Sequence, residues 1–159
     1  MPSEPSDEGT TVSETCTLDE IKRAAAGLSP WAYLATVGAD GQPDVVPIHP
    51  SWEDDTLWVL VATDSVKAHN TSANPNVALH WQATEAGDGV ELWGTATLFT
   101  DVGTKRRLWD GTFDYDLNAF APGGPDNSPG AAFLAIAPER AVIIEQYGMG
   151  TARRWQKGR

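Results

Sequence analysis

The chain has 159 residues, of which 41% are hydrophobic, and this length and composition suit one globular domain around a single core. Its formal net charge of −11 would repel nucleic acid and anionic membrane surfaces, so we expect neither as a partner. No apolar run approaches the ~20 residues of a spanning helix, and no signal peptide opens the chain. The single cysteine, Cys16, cannot form an internal disulfide, and together these features predict a cytoplasmic protein.

The start of the chain differs in composition from the rest. It is rich in Pro, Ser, Glu, Asp, Gly and Thr, so we predict a disordered leader over residues 1–15 and a single domain over residues 16–159. Thr17 and Glu20 have the spacing of a capping box, which predicts a helix that begins after Thr17 and ends near Gly27. Its apolar residues recur on one face, as in a helix that covers a core.

A β-hairpin follows this helix. Residues 31–37 form the first strand, and a turn with Gly38 and Gly41 leads to a second strand over residues 43–52. Three prolines in the second strand remove backbone donors. We therefore expect this strand at an edge or a barrel rim.

The middle of the chain predicts a strand, a short helix and another strand. Residues 56–62 are an apolar run of strand length, and the three residues that follow can each cap a helix over residues 66–73. Asn74-Pro75 ends that helix, because the residue before a proline is disfavoured in the α region. A strand over residues 76–81 comes next.

Lys67 is the only Lys or Arg between Ala24 and Thr104. It lies in the first turn of the short helix, where the helix dipole disfavours a cation, so an anion is a natural partner. Helix N–H groups, the hydroxyls of Thr63 and Ser65 and the Lys67 ammonium together suit a phosphate. Without further information, the residues favour a solvated surface lysine beside an N-cap at Asp64 over a phosphate ligand.

The last third of the chain predicts further strands around one helix. A strand covers residues 90–100, and residues 101–118 carry a helix with a Lys-Arg-Arg run. Residues 119–130 are too rich in Gly and Pro for regular structure, and we expect them to form a flap on the substrate side. Residues 131–147 predict two strands separated at Pro138.

The element pattern favours a mainly β protein. Six or more short strands with a few helices and no βαβ alternation indicate a closed antiparallel barrel. The three histidines, His49, His69 and His80, lack metal-ligand spacing, so we expect no metal site. No acid–base or nucleophile motif is recognisable and the catalytic residues stay unassigned, as in an oxidoreductase whose cofactor supplies the chemistry.

The run VATDSVKAHN followed by NPNVAL resembles the cofactor-phosphate segment of the pyridoxamine 5'-phosphate oxidase-like split-barrel superfamily, which includes FMN enzymes and reductases that use the deazaflavin coenzyme F420. The resemblance extends from about Leu18 to about Trp155. It implies a six-stranded antiparallel split β-barrel that forms a homodimer with the cofactor between subunits. It also implies that Thr63, Ser65 and Lys67 bind the cofactor phosphate.

Two other segments carry the resemblance. The first hairpin has the family's A-T-x-x-x-D-G-x-P opening, which implies that Val46, Pro47, Ile48 and His49 lie along the cofactor ring. The ending GTARRWQ is similar to the Arg-Trp close of actinobacterial members. It implies that Arg154 and Trp155 reach the cofactor across the dimer interface, although the residues alone equally allow a frayed basic tail.

The resemblance implies an F420-dependent reductase of the actinobacterial type, which transfers a hydride to an unsaturated small molecule. The alternative is an FMN-binding relative of pyridoxamine phosphate oxidase, either an FMN oxidoreductase or a non-catalytic flavin- or heme-binding stress protein. Pyridoxamine phosphate oxidases proper carry an arginine and a lysine where this chain has Asp44 and His49. The loss of both cations favours F420. We expect the substrate pocket to be formed by loops at residues 83–89 and 119–130.

Overall fold

The computed structural model describes residues 13–159, so residues 1–12 of the predicted leader lie outside the described residues. The described part contains nine strands and three helices. In chain order these are β1 (Ser13–Thr15), α1 (Leu18–Leu28), β2 (Ala32–Val37), β3 (Pro43–Ile48), β4 (Ser51–Glu53), β5 (Thr56–Ala62), α2 (Val66–Ala73), β6 (Asn76–Trp81), β7 (Gly89–Phe99), α3 (Val102–Trp109), β8 (Ala131–Ile144) and β9 (Ala152–Gln156), with short 3₁₀ turns at Leu117–Ala119 and Gln146–Gly148.

All nine strands belong to one sheet, with the order β1-β9-β8-β7-β6-β2-β3. Strand β5 joins it by pairing with β8, and β4 pairs with β5. Every pairing is antiparallel except that of β1 with β9, which is parallel. The predicted class, a mainly β split barrel with a few helices, is therefore confirmed. The prediction of six strands is too low, and the sheet is mixed rather than purely antiparallel.

The two ends of the described chain are tied together. Ser13–Thr15, which we expected to be disordered, forms β1 against β9, and the Cys16 amide donates to the Arg154 carbonyl at 2.9 Å. Strand β9 in turn pairs with the second half of β8. The Arg-Trp segment is therefore an ordered strand and not a frayed tail.

Strand β8 continues through Pro138, where we expected a break between two strands. The register against β7 shifts at this point, between Trp93 and Gly94, and Gly94 lies opposite Pro138. A Cβ on Gly94 would lie 2.4 Å from the Ala137 carbonyl oxygen, so only glycine fits this irregularity. The bulge accommodates the proline without ending the strand.

Two groups of buried side chains form the core. The main group fills the space between the strands and α1, whose capping box is complete and whose Ile21 and Ala25 are buried. The second group is aromatic and lies between α3 and strands β5 and β8. Its buried members are Trp58, Leu108, Trp109, Phe113, Leu117, Ala121 and Phe133.

Phe133 is the centre of the aromatic group. Its side chain is 0% exposed, and its ring centroid lies 5.6 Å from that of Phe113, 6.1 Å from Trp109 and 6.5 Å from Trp58. These contacts hold α3 and the segment after it against β8. No helix in residues 13–159 has the length and apolar character needed to cross a membrane.

Phe133→Ala is expected to lower the free energy of unfolding by ~3–5 kcal/mol, because it opens a cavity at the centre of the aromatic group. Urea unfolding followed by tryptophan fluorescence measures this change. Phe120→Ala is the matched control, because Phe120 is 73% exposed and its truncation leaves the core intact. Equal losses in the two variants would contradict the assignment of Phe133 to the core.

Candidate functional site

A cavity of about 820 Å³ opens between β3, β5, the start of α2 and the segment after α3. Its size is that of a site for a cofactor or drug-sized ligand. Most of the wall is apolar or aromatic. The lining residues are Trp31, Pro47, Ile48, His49, Val59, Leu60, Val61, Ala62, Lys67, Tyr115, Phe120, Ala121, Pro122, Gly123, Asn127, Ser128, Gly130 and Ala131.

Lys67 is the only Lys or Arg among these lining residues. It occupies the second position of α2 and is half-buried. Within residues 13–159, its ammonium group makes no hydrogen bond and no salt bridge, and the amides of Val66 and Lys67 have no acceptor in the same part of the chain. The helix start therefore offers unused donors beside a cavity.

The hydroxyls of Ser65 and Thr63 are used by the chain itself. Ser65 is the N-cap of α2, and its Oγ accepts from the Ala68 amide at 3.3 Å and donates to the Ala62 carbonyl at 2.7 Å. Thr63 Oγ1 donates to the Gly130 carbonyl at 3.4 Å. Neither residue lines the cavity, so of the three expected phosphate ligands the structure places Lys67 in its wall.

The end of β3 supplies three of the four predicted ring contacts. Pro47, Ile48 and His49 line the cavity, whereas Val46 packs against the main core. Val46 shares a strand face with Ile48 but lies about 6.6 Å further along the strand, which takes it out of reach. Asp44 does not line the cavity either.

Arg154 and Trp155 are remote from the cavity of their own chain. Both lie in β9, which pairs with residues 140–144 at the far end of β8, whereas the cavity is bordered by Ala131 at the start of that strand. The Trp155 side chain packs against the main core and Arg154 is exposed. Within one chain the structure does not bring them to the predicted site.

Four rings form a continuous group in the cavity wall, which the sequence prediction missed. The His49 ring lies 4.5 Å from Tyr115, centre to centre, and 6.2 Å from Trp31. Tyr115 meets Phe120 edge-on at 5.6 Å. Planar ligands bind well to such surfaces, because rings stack on rings.

His49 is held by an acidic residue from the segment after α3. Its Nε2 lies 2.8 Å from Asp114 Oδ1. That segment was predicted as helix up to Asn118, but α3 ends at Trp109 and Gly111 follows with a φ of +86°. The left-handed glycine turns the chain away from the helix axis and brings Asp114 and Tyr115 to His49.

The loop over residues 119–130 contributes a large part of the cavity wall, as expected of a flap on the ligand side. The loop over residues 83–89 does not line the cavity. It contacts the segment between β8 and β9 instead, where the Tyr147 hydroxyl donates to the Glu85 carbonyl at 3.1 Å. The expectation that both loops shape one pocket is therefore wrong within a single chain.

The cavity suits a planar ring that carries an anionic group. Lys67 and the free helix amides supply donors for the anion, the four rings and the β5 side chains supply flat apolar walls, and His49 supplies a polar contact. Among residues 13–159 no group of three His, Cys, Asp or Glu side chains is arranged to hold a metal ion.

Comparison with known proteins places these features in a family. The model of the pyridoxamine 5'-phosphate oxidase family matches residues 18–144, and no curated protein matches the chain. A solved structure from Clostridium acetobutylicum, of a protein related to general stress protein 26 of B. subtilis, superimposes with a TM-score of 0.71 at 18% identity. The match covers 89% of this chain and 97% of that one.

Two further structures share the fold. A pyridoxamine 5'-phosphate oxidase-related, FMN-binding protein from Nostoc punctiforme matches with a TM-score of 0.63 at 18% identity, over 87% of each chain. An F420 reductase matches with a TM-score of 0.54 at 23% identity, over 72% of this chain and 90% of the other. At these identities the likeness establishes the fold.

Tyr115 is expected to ionise above the ordinary tyrosine range. Burial raises the pKa of its hydroxyl, and the neighbouring Asp114 carboxylate raises it further, because both disfavour the phenolate. The free energy of unfolding should therefore fall as the pH rises past the pKa of the unfolded tyrosine. An ultraviolet titration of the wild type minus that of Tyr115→Phe isolates this group. Ionisation below pH ~10 would contradict its buried position.

Proposed function

Because the chain belongs to the pyridoxamine 5'-phosphate oxidase family, we propose that its cavity binds a flavin-type cofactor and that the protein is an oxidoreductase. The preferred cofactor is F420, and the reaction is transfer of a hydride to an unsaturated small molecule. The single observation that carries this proposal is the Lys67 ammonium at the start of α2, which has no partner within residues 13–159 and lies in the wall of a mostly apolar and aromatic cavity.

The residues at the helix start have defined roles in this proposal. Lys67 and the first amides of α2 bind the cofactor phosphate. Ser65 holds those amides in place as the N-cap, and the hydroxyls of Ser65 and Thr63 become phosphate ligands when they exchange their present carbonyl acceptors for the phosphate.

The remaining wall orients the ring. Pro47 and Ile48 would lie along one side of it, the His49 ring would offer a polar contact to its edge, and the four-ring group would exclude water from the reacting face. Val46 acts only by supporting Ile48 from the core. Reduced F420, when bound, supplies the hydride, so the protein needs no nucleophile of its own.

The choice of F420 over FMN rests on charge. The chain lacks the cations that pyridoxamine phosphate oxidases carry at the positions of Asp44 and His49, and Asp44 has a buried carboxylate oxygen without a hydrogen-bond partner in the described part of the chain. The alternative is an FMN oxidoreductase or a flavin- or heme-binding stress protein. The stress-protein relative, which shares the fold over 97% of its length, is the example on which that alternative is based.

A homodimer with the cofactor at the interface is part of the proposal. The outer face of the β2–β3 hairpin is apolar, with the pairs Tyr33–Pro47, Ala35–Val45 and Val37–Pro43. Val45 is 63% exposed, and Pro47 and Trp31 border both this face and the cavity. A second copy on this face would cover the cavity mouth. Arg154 and Trp155 would contribute to a cofactor site only across such an interface. We also propose that the dimer is cytoplasmic.

Lys67→Ala is expected to weaken the binding of FMN and of oxidised F420 by ~1.5–3 kcal/mol, about 10- to 150-fold, because a charged hydrogen bond to phosphate is lost. Isothermal titration calorimetry measures both affinities. Lys157→Ala, which removes an exposed lysine from the chain end, should leave them unchanged. Unaltered affinity in Lys67→Ala would contradict the assignment of Lys67 as a ligand of the cofactor phosphate.

Val45→Asp is expected to convert the dimer to a monomer, because it places a charge in the centre of an apolar contact surface. Size-exclusion chromatography with light scattering reports the mass. Val102→Asp, on the exposed first turn of α3, is the matched control and should remain dimeric. A wild type that is already monomeric at micromolar concentration would rule out this interface.

A further inference from the structure

The loop that walls the cavity is held to α3 by two cations. We call residues 120–130 the wall loop. Lys105 Nζ donates to the Ser128 carbonyl at 3.0 Å, and Arg106 Nε lies 2.7 Å from Asp126 Oδ1. The Arg106 guanidinium lowers the pKa of the Asp126 carboxyl by hydrogen bonding, as expected for a formed ion pair. Both contacts join consecutive residues of one helix to one loop.

Lys105 is unusual because it is a lysine that is only 4% exposed. In residues 13–159 no carboxylate lies within salt-bridge distance of its ammonium, and its side-chain acceptor is the Ser128 carbonyl. The Asp101 carboxylate acts on this ammonium only from beyond salt-bridge distance, and burial of a cation without a direct counter-ion is unfavourable for folding. An apolar side chain of the same length would stabilise the core better, so stability does not account for the lysine.

The wall loop has internal bonds that make it a compact unit. The Asn127 amide donates to the Gly123 carbonyl at 3.2 Å, and Ser128 Oγ donates to the Ala121 carbonyl at 3.4 Å. A Cβ on Gly123 would lie 2.0 Å from the Asn127 carbonyl oxygen, so the turn requires glycine there. A bond to Ser128 therefore positions the whole loop rather than one residue.

The wall loop also contacts the turn that leads into α2. The Thr63 amide donates to the Gly130 carbonyl at 2.9 Å, and Gly130 lines the cavity together with Lys67. Asn127 and Ser128 separate the main cavity from a second one of about 470 Å³, which Lys105 borders. The loop thus spans from α3 on one side to the predicted phosphate site on the other.

We propose that Lys105 is a positioning residue for the ligand cavity. Its ammonium anchors the wall loop through the Ser128 carbonyl and so fixes both the cavity wall and the approach to Lys67. Lys105 does not touch the ligand. The anchoring is a property of the chain itself, whereas its effect on affinity rests on the proposed function.

Lys105→Met tests the anchoring, because methionine fills the space of the lysine stem without the ammonium. The melting temperature should stay the same or rise, hydrogen exchange in residues 120–130 should become about tenfold faster, and exchange in β5 and β8 should not change. Affinity for FMN or oxidised F420, whichever binds the wild type, should fall about tenfold. Lys157→Met is the matched control and should alter none of these.

Asp126→Asn provides a second variant on the exposed side of the same loop. It releases Arg106 without any change in the core and should accelerate exchange in residues 120–130, by less than Lys105→Met does. It keeps the proposal testable if Lys105→Met does not fold.

A lower melting temperature with faster exchange throughout the sheet would make Lys105 a general core residue and overturn the proposal. Unchanged exchange in the wall loop of a folded Lys105→Met would overturn it as well, whatever the exchange in Asp126→Asn. If neither cofactor binds the wild type, the proposed function fails, while the loop exchange still decides whether Lys105 is an anchor.

Discussion

Strand β8 pairs with three neighbours, and the positions of the cavity, α3 and the chain end depend on those pairings. Its first half pairs with β5, whose residues 59–62 wall the cavity. From the same half, Phe133 holds α3 through the aromatic group. The second half pairs with β9, which carries β1. One strand can do this because the bulge at Gly94 accommodates Pro138.

The acidic chain would repel an anionic ligand, and the cavity offsets this repulsion with local donors. A net charge of −11 opposes the approach of any phosphate, so a phosphate site must rest on local donors. The structure offers these at one place, where the Lys67 ammonium and the first amides of α2 are free of partners in the described part of the chain. The wall loop is bound to the same turn through Thr63 and Gly130. In this account, phosphate recognition and cavity shape therefore depend on one connected segment.

Local signals made much of the fold predictable. The capping box at Thr17 and Glu20, the cap before α2 and the Asn74-Pro75 break each act over a few residues, and the bounds of α2, β5 and β6 agree with the prediction. The continuity of β8 was not predictable in this way, because it depends on a glycine in another strand. The early end of α3 follows from the conformation of Gly111, which its sequence neighbours do not reveal.

The candidate site was predictable where the ligand-binding residues lie close together in one element. It was not predictable where residues from distant elements meet. Lys67 and the end of β3 follow from short motifs, and the structure places both in one cavity. Trp31, His49, Tyr115 and Phe120 come from three separate segments, so no short sequence motif predicts that their rings form a group. Lys105 belongs to a run of three cations, a pattern that is typical of a solvent-exposed helix face. Its burial in the structure is what distinguishes it from Arg106 and Arg107.

The binding of a flavin-type cofactor in the cavity can be tested on the purified wild type. The most direct measurement is a pair of titrations of the wild type, one with oxidised F420 and one with FMN, followed by quenching of tryptophan fluorescence, to which Trp31 in the cavity wall should contribute. We expect saturable binding of one cofactor per chain with a Kd in the micromolar range, and tighter binding of F420. Tighter binding of FMN would keep the site and select the alternative function. Binding of neither cofactor would contradict the account.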